Sequence, residues 1–353
     1  ARGYVDVHAG SRFSVATTSR DGYVVDLLPR LPLFAAVEVV LAGVRAHLGP
    51  EGGTLVARGR PRRDANAELT YRFRLATGVA PGTYPFVAAL TALATDVKAV
   101  LGSATAVSYG ADWSEWFGHQ PADGSGDVHF HLDPFWASPD VDFVGIDAYW
   151  PLADWRHGGG PDAESADTPH DLGPLAAGFG AGEGFDWYYA STADRLTGTR
   201  TPITDGAAGK PWVFRTKDLK SWWSNPHFDR PGGVESATPT AWLPQSKPFR
   251  LVETGCPAVD LGANQPNMFP DAKSTEAGLP HFSRGGRDDL IQRRLLEAVL
   301  ARFDPDHPDF DAAHNPLSDL DGRRMVDPGG LQFWTWDARP FPQFPALAGV
   351  WAD

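Results

Sequence analysis

Cysteine occurs once, at Cys256, so no disulfide can form within the chain and stability must come from packing. Long apolar runs are missing too. Nothing approaches the roughly twenty consecutive apolar residues that cross a bilayer, so no membrane span is expected. The first ten residues, Ala1 to Gly10, lack a charged segment followed by an apolar one, and the sequence reads as a piece of something longer. There is no HExxH, no paired CxxC and no glycine-rich phosphate loop ahead of a helix, so neither a metal nor a nucleotide cofactor is expected. The loose group His119, Asp123, Asp127, His129, His131 and Asp133 fits two imidazoles on one strand face without requiring an ion. Positive charge is scarce: 31 Lys and Arg against 44 Asp and Glu give a net charge of −13. A polyanion such as nucleic acid would be repelled on average, which favours a neutral or basic ligand. Lysine is absent from the first eighty residues, which carry arginine instead and run net positive by about four charges.

Aromatic residues are abundant. Thirteen Trp bring the aromatic fraction to 12%, and many lie among Gly, Pro, Asp and Asn. Indoles in loops suit a sugar, whose C–H faces stack on rings while its hydroxyls take carboxylates and amides at the rim. Packing of large loops is the competing explanation.

The composition break divides the chain into an atypical region, 1–80, and a second region, 81–353. In the first, a strand is expected over 22–28 and a helix over 33–48, ended by Gly49-Pro50. In the second, Pro85 opens a helix that stops at Gly102. A short strand over 106–110 should then deliver Asp112, Trp113 and Glu115 into a loop. A helical turn is expected around 134–137. Residues 141–149 (VDFVGIDAY) have the near-continuous apolar character of a parallel strand buried on both faces, with Asp147 and Tyr149 at its end. Residues 151–245 form a long aromatic-rich excursion, read as an ordered insertion. Strand FRLV (249–252) follows and delivers Glu253 ahead of the strand-breaking Gly255 and Pro257. A helix is expected over 287–303, and a last strand, 331–336, leads to Asp337. Strand and helix alternate, which points to parallel βαβ units, and in α/β barrels the C-terminal strand ends carry the active site.

Glycoside hydrolysis needs two carboxyl groups about one bond, roughly 5 Å apart for retention and roughly 6.5–9.5 Å apart for inversion. Glu253 is the first candidate. The second is open among Glu115, Asp112, Asp147, Asp337 and Glu68. In the segment ADWSEW adjacent indoles could exclude water and raise the pKa of Glu115 or Asp112, as a general acid requires. Cys256 reads as a small buried residue.

Several long motifs then become recognisable. They include YGADWSEWFGHQPADGSGDVHFHLDPFWA (109–137), VDFVGIDAYWPLADWR (141–156), GFDWYYA (184–190), VETGCPAVDLGANQPNMF (252–269) and GRRMVDPGGLQFWTWDARPFPQFP (322–345). From about residue 84 onward the chain resembles the glycoside-hydrolase-related, TIM-barrel-like domain of gene transfer agent and phage tail hub proteins. The resemblance implies an α/β fold, a (β/α) TIM-type barrel whose last four strands are the ones read above. It places Glu253 at the nucleophile position of retaining glycosidases. The acid/base position matches only weakly, at Glu68, because a Gly-Ser-Glu-Leu segment usual in the family is lacking here. The first eighty residues do not match, so the N-terminal half of the barrel is expected to be incomplete or altered. The substrate implied is a polysaccharide or peptidoglycan strand, with Asp112, Trp113, Asp147, Tyr149, Trp223, Trp334 and Asp337 binding sugar. The partners implied are other tail proteins, in a virion or phage-like tail particle assembled in the bacterial cytoplasm. A non-catalytic glycan-binding or structural barrel is the alternative.

Overall fold

The computed structural model describes residues 85–334, apart from 207 and 271–276, together with six strand segments before them. The chain divides into two compact units, 1–102 and 103–353.

In the first unit the strands are β1 (Val5–Val7), β2 (Tyr23–Val25), β3 (Phe34–Leu41), β4 (Val44–Leu48), β5 (Leu55–Ala57) and β6 (Leu69–Leu75), followed by helix α1 (Pro85–Leu101). They pair as an antiparallel sheet in the order β1-β6-β3-β4 and a separate antiparallel pair β2-β5. The helix expected over 33–48 is therefore a pair of strands, with Leu41 opposite Val44. Val37, Val39, Val40 and Val44 explain the difference, since β-branched side chains favour extended backbone. β2 falls within the strand expected over 22–28, whose other residues lie outside the described ones, and α1 forms where Pro85 and Gly102 bound it.

The second unit holds β7 (Gly110–Asp112), α2 (Asp133–Trp136), β8 (Val144–Ala148), α3 (Leu172–Ala177), β9 (Trp187–Tyr188), α4 (Thr192–Thr197), β10 (Thr201–Pro202), α5 (Leu219–Ser224), β11 (Phe249–Thr254) and α6 (Asp289–Phe303). Three of these strands form a parallel sheet in the order β11-β8-β7. A fourth segment runs parallel along the free edge of β11. Phe249 bridges Val326, through Phe249 N–H to Met325 O (2.7 Å) and Asp327 N–H to Phe249 O (2.9 Å), and Thr254 bridges Phe333, through Thr254 N–H to Gln332 O (2.9 Å) and Trp334 N–H to Thr254 O (2.8 Å). This is the expected last strand as far as residue 334; its remainder lies outside the described residues. Gly255 admits it so closely because a Cβ there would collide with the Trp334 carbonyl oxygen. Strand and helix thus alternate around a parallel sheet, and among the described residues that sheet does not close into a barrel.

One boundary differs in an informative way. The strand expected over 106–110 begins where it was expected to end, at Gly110. The Asp142 carboxylate takes the Val107 N–H at 2.6 Å and the Phe143 carbonyl takes the Ser108 hydroxyl, so beside the one backbone bond from Asp142 N–H to Val107 O (2.8 Å) side chains interrupt the ladder there. Asp112 consequently sits inside the strand.

One face of the sheet is closed by packing: Ala111, Ile146, Phe249 and Leu251 are fully buried. Helix α6 supports the unit through Ile291, Leu295, Ala298 and Val299, spaced at three and four residues. Its first turn is capped by the Asp288 carboxylate on the Ile291 N–H at 3.0 Å. Cys256 is buried, and burial pushes its thiol far above the ordinary range, which leaves it inert.

The excursion 151–245 is built around two polar anchors. His227, fully buried, meets the Asp133 carboxylate at Nδ1 (2.8 Å) and the Trp222 carbonyl at Nε2 (2.9 Å), and stacks between Phe130 and Trp242. The buried Lys217 ammonium donates to the carbonyls of Pro151, Gly178 and Ala181 at 2.7, 2.8 and 2.7 Å.

Candidate active site

Four carboxylates gather at the C-terminal ends of the parallel strands. Asp112, on β7, is paired in register with Asp147 on β8, which is paired in turn with Glu253 on β11. Neighbouring strands lie about 4.8 Å apart, so these three residues form a short row across the sheet. A register shift between Leu251 and Glu253 makes Val252 the extra residue of a bulge. Such a bulge re-aims the residue that follows it, and here it brings Glu253 opposite Asp147 in place of Val252. Glu115 is added by the turn after β7, in which the Asp112 carbonyl accepts the Glu115 and Trp116 N–H groups at 2.9 and 3.1 Å.

Three of the four are held by a hydroxyl. Tyr149 donates to Glu253 Oε2 at 2.9 Å, Tyr109 donates to Glu115 Oε1 at 3.0 Å, and the Ser114 hydroxyl and N–H both donate to Asp112 Oδ1. Asp147 has no hydrogen bond or ion pair among the described residues, and no basic side chain reaches any of the four there. Burial raises the pKa of Glu253 despite the opposing bond from Tyr149, and raises that of Glu115 against the bond from Tyr109. Asp147 rises furthest, to about 7, through burial first and then through the charges of Glu253, Asp112 and Glu115. The Tyr109 phenol is likewise driven up by burial and by Glu115. Asp147 therefore keeps its proton to near neutrality, beside Glu253, whose own pKa burial raises against the bond from Tyr149. That pairing suits acid–base and nucleophilic chemistry at an acetal carbon.

Of the residues expected at the site, Glu253, Glu115, Asp112, Asp147 and Tyr149 are brought together. Tyr149 is buried and acts through its hydroxyl, so its ring gives no stacking face. Trp113 is half-buried next to Asp112, its carbonyl bonded by the Thr216 hydroxyl. Trp334 is 40% exposed and bonded to the backbone of Thr254, the residue after Glu253. Trp223 is a correction: it is 2% exposed and its indole N–H donates to the Lys247 carbonyl at 2.8 Å, so it belongs to the core. Trp212, Trp222 and Trp242 are similarly buried, which makes the aromatic richness of the excursion largely a matter of packing. Glu68 and Asp337 lie outside the described residues. Tyr109 and Gly110 were not singled out from the sequence, although Tyr109 stands six residues before its partner Glu115. A cleft of about 530 Å³ lies apart from the carboxylates, within 151–200 and beside Trp155, Trp187 and Arg200. His119 and His131 approach edge to face at 6.0 Å, and no group of three metal-ligating side chains occurs among the described residues. Nor, among them, is any helix long and apolar enough to cross a membrane.

A parallel sheet with carboxylates at its C-terminal strand ends defines the class: an α/β domain with its polar site at the strand ends. Within that class the chain belongs to the GTA TIM-barrel-like domain family, whose model matches residues 69–345. No curated protein matches the chain.

Proposed function

We propose that the chain is a glycan-processing domain of a phage-like tail tip, cleaving a β-linked cell-surface or cell-wall polysaccharide with retention of configuration. In this reading the four parallel strands are the C-terminal half of a barrel, Glu253 is the nucleophile, and Trp113 and Trp334 flank the sugar. Other tail proteins are its partners in the particle. The observation that carries the reading is Glu253 itself, a carboxylate at a strand end, oriented by Tyr149 and facing a second carboxyl in register. Retention requires two carboxyl groups roughly 5 Å apart, and in-register residues on adjacent strands start from backbones about 4.8 Å apart.

The test is release of reducing ends from peptidoglycan and from soluble β-glucans, with the first-formed anomer read by NMR. Glu253→Gln should lower the rate by about a thousandfold or more, on the scale of losing an essential group of a catalytic unit. Equal rates for the two proteins, or no release by either, would remove the reading. A sheet left open at β7 among the described residues, and Trp334 exposed beside β11, favour a second account in which the domain binds glycan without cleaving it. Wild type and Glu253→Gln would then co-sediment equally with insoluble glycan while neither released sugar.

A further inference from the structure

Asp147 combines three geometric features that none of its neighbours shares. It is the in-register partner of Glu253 across one strand spacing, on the face that the Val252 bulge turns Glu253 toward. It has room, because Gly110 on the adjacent strand carries no Cβ; one built there would stand 3.0 Å from Asp147 Oδ1 and 3.1 Å from Val252 Cγ2. Its carboxyl is half-buried and accepts nothing from the protein among the described residues, whereas Glu253, Glu115 and Asp112 are each tied to a hydroxyl.

The geometry points to Asp147 as the proton donor and acceptor that works with Glu253, an assignment that rests on the glycosidase reading above. In the first step a Glu253 oxygen attacks the anomeric carbon as the bond to the leaving oxygen breaks, and the Asp147 proton passes to that oxygen. In the second, the Asp147 carboxylate takes a proton from water, whose oxygen attacks the anomeric carbon and releases Glu253. Atoms and charge balance over the two steps with water as the only added reactant. The groups facing Asp147 are Asp112, Glu115 and Tyr109 from the β7 side and Glu253 from β11. Burial first, and then the charges of Glu253, Asp112 and Glu115, hold the proton on Asp147 up to about pH 7, while the bond from Tyr149 works against the burial that raises the pKa of Glu253. Glu115 is less suited to the role, since its oxygen is already engaged by the Tyr109 hydroxyl.

The experiment compares wild type, Asp147→Asn, Glu115→Gln and Glu253→Gln, with folding checked by thermal melts. The probes are dinitrophenyl β-glycosides of glucose and of N-acetylglucosamine, and the unactivated glycan. Asp147→Asn should lose about a hundred- to ten-thousandfold on the glycan, the range of a general acid, and far less on the dinitrophenyl glycosides, whose leaving group needs no proton. Azide should restore turnover and give a glycosyl azide of retained configuration. The fall in rate above about pH 7 should disappear in Asp147→Asn and persist in Glu115→Gln. If azide rescue and loss of the alkaline limb follow Glu115→Gln instead, or Asp147→Asn affects both substrates alike, the assignment is overturned while the glycosidase reading stands. If Glu253→Gln matches wild type on every probe, that reading falls and the assignment with it.

Discussion

Asp147 carries its negative charge at a cost to the fold. Its folded-state pKa, about 7, lies above the value for an unfolded aspartate, so between about pH 4 and pH 7 the unfolded chain binds fewer protons than the folded one. Stability attributable to this group is complete below the unfolded pKa and is lost as pH rises through the folded one. Asp147→Asn should therefore melt higher than wild type at pH 8, by about 2–4 °C for each kcal/mol regained, and nearly level with it at pH 4. A melting difference that stays constant from pH 4 to pH 8 would contradict the raised pKa. At the same scale, Glu253 was legible from sequence because Gly255 and Pro257 must end the strand just beyond it. The hydroxyl partners were less so. Tyr149 and Glu253 are 104 positions apart, and no local pattern joins a tyrosine to a carboxylate on another strand. Trp223 misled for a related reason: composition does not distinguish an indole that faces solvent from one that folds back to bond a carbonyl.

Among elements, apolar runs and chain-breaking residues were good guides wherever burial determines the backbone. Helix α6 and strands β8 and β11 lie within a few residues of where their apolar patterns put them. Elements decided by side-chain competition were not readable. The shift of β7 depends on Asp142 capturing the Val107 N–H, and the β3–β4 pair depends on partners in β6. The join between α2 and α5 is of the same hidden kind, since Asp133 lies in one and His227 follows the other, 94 positions away. His227→Phe preserves a flat ring between Phe130 and Trp242 but leaves the buried Asp133 with the Thr240 hydroxyl alone. The expected loss is about 3–5 kcal/mol in chemical denaturation, the cost of stranding one member of a buried pair. A loss under about 1 kcal/mol would mean that stacking, rather than the Asp133 contact, secures the two helices.

For the molecule as a whole, the alternation of strand and helix was readable from about residue 84, and the family match begins at 69. Parallel strands need long crossovers, and those crossovers are what made the order visible. The first unit was not readable in the same way, because its strands are short, antiparallel and interrupted by Gly- and Arg-rich stretches.

The Lys217 ammonium has a consequence for chain connectivity. It binds the carbonyls of Pro151, Gly178 and Ala181 from a point well downstream of all three, so the path between them is duplicated by contacts through space. A protease site inserted between Ala208 and Gly209, both exposed, could then be cut without the molecule coming apart. The two fragments should co-elute on size exclusion, held also by the β8–β11 pairing across the cut, and Lys217→Met, which leaves three carbonyls without this donor, should lower the melting temperature of the cut protein. The excursion would thus behave less as a loop threaded between two strands than as a second strand of attachment, able to outlast the peptide bond that made it.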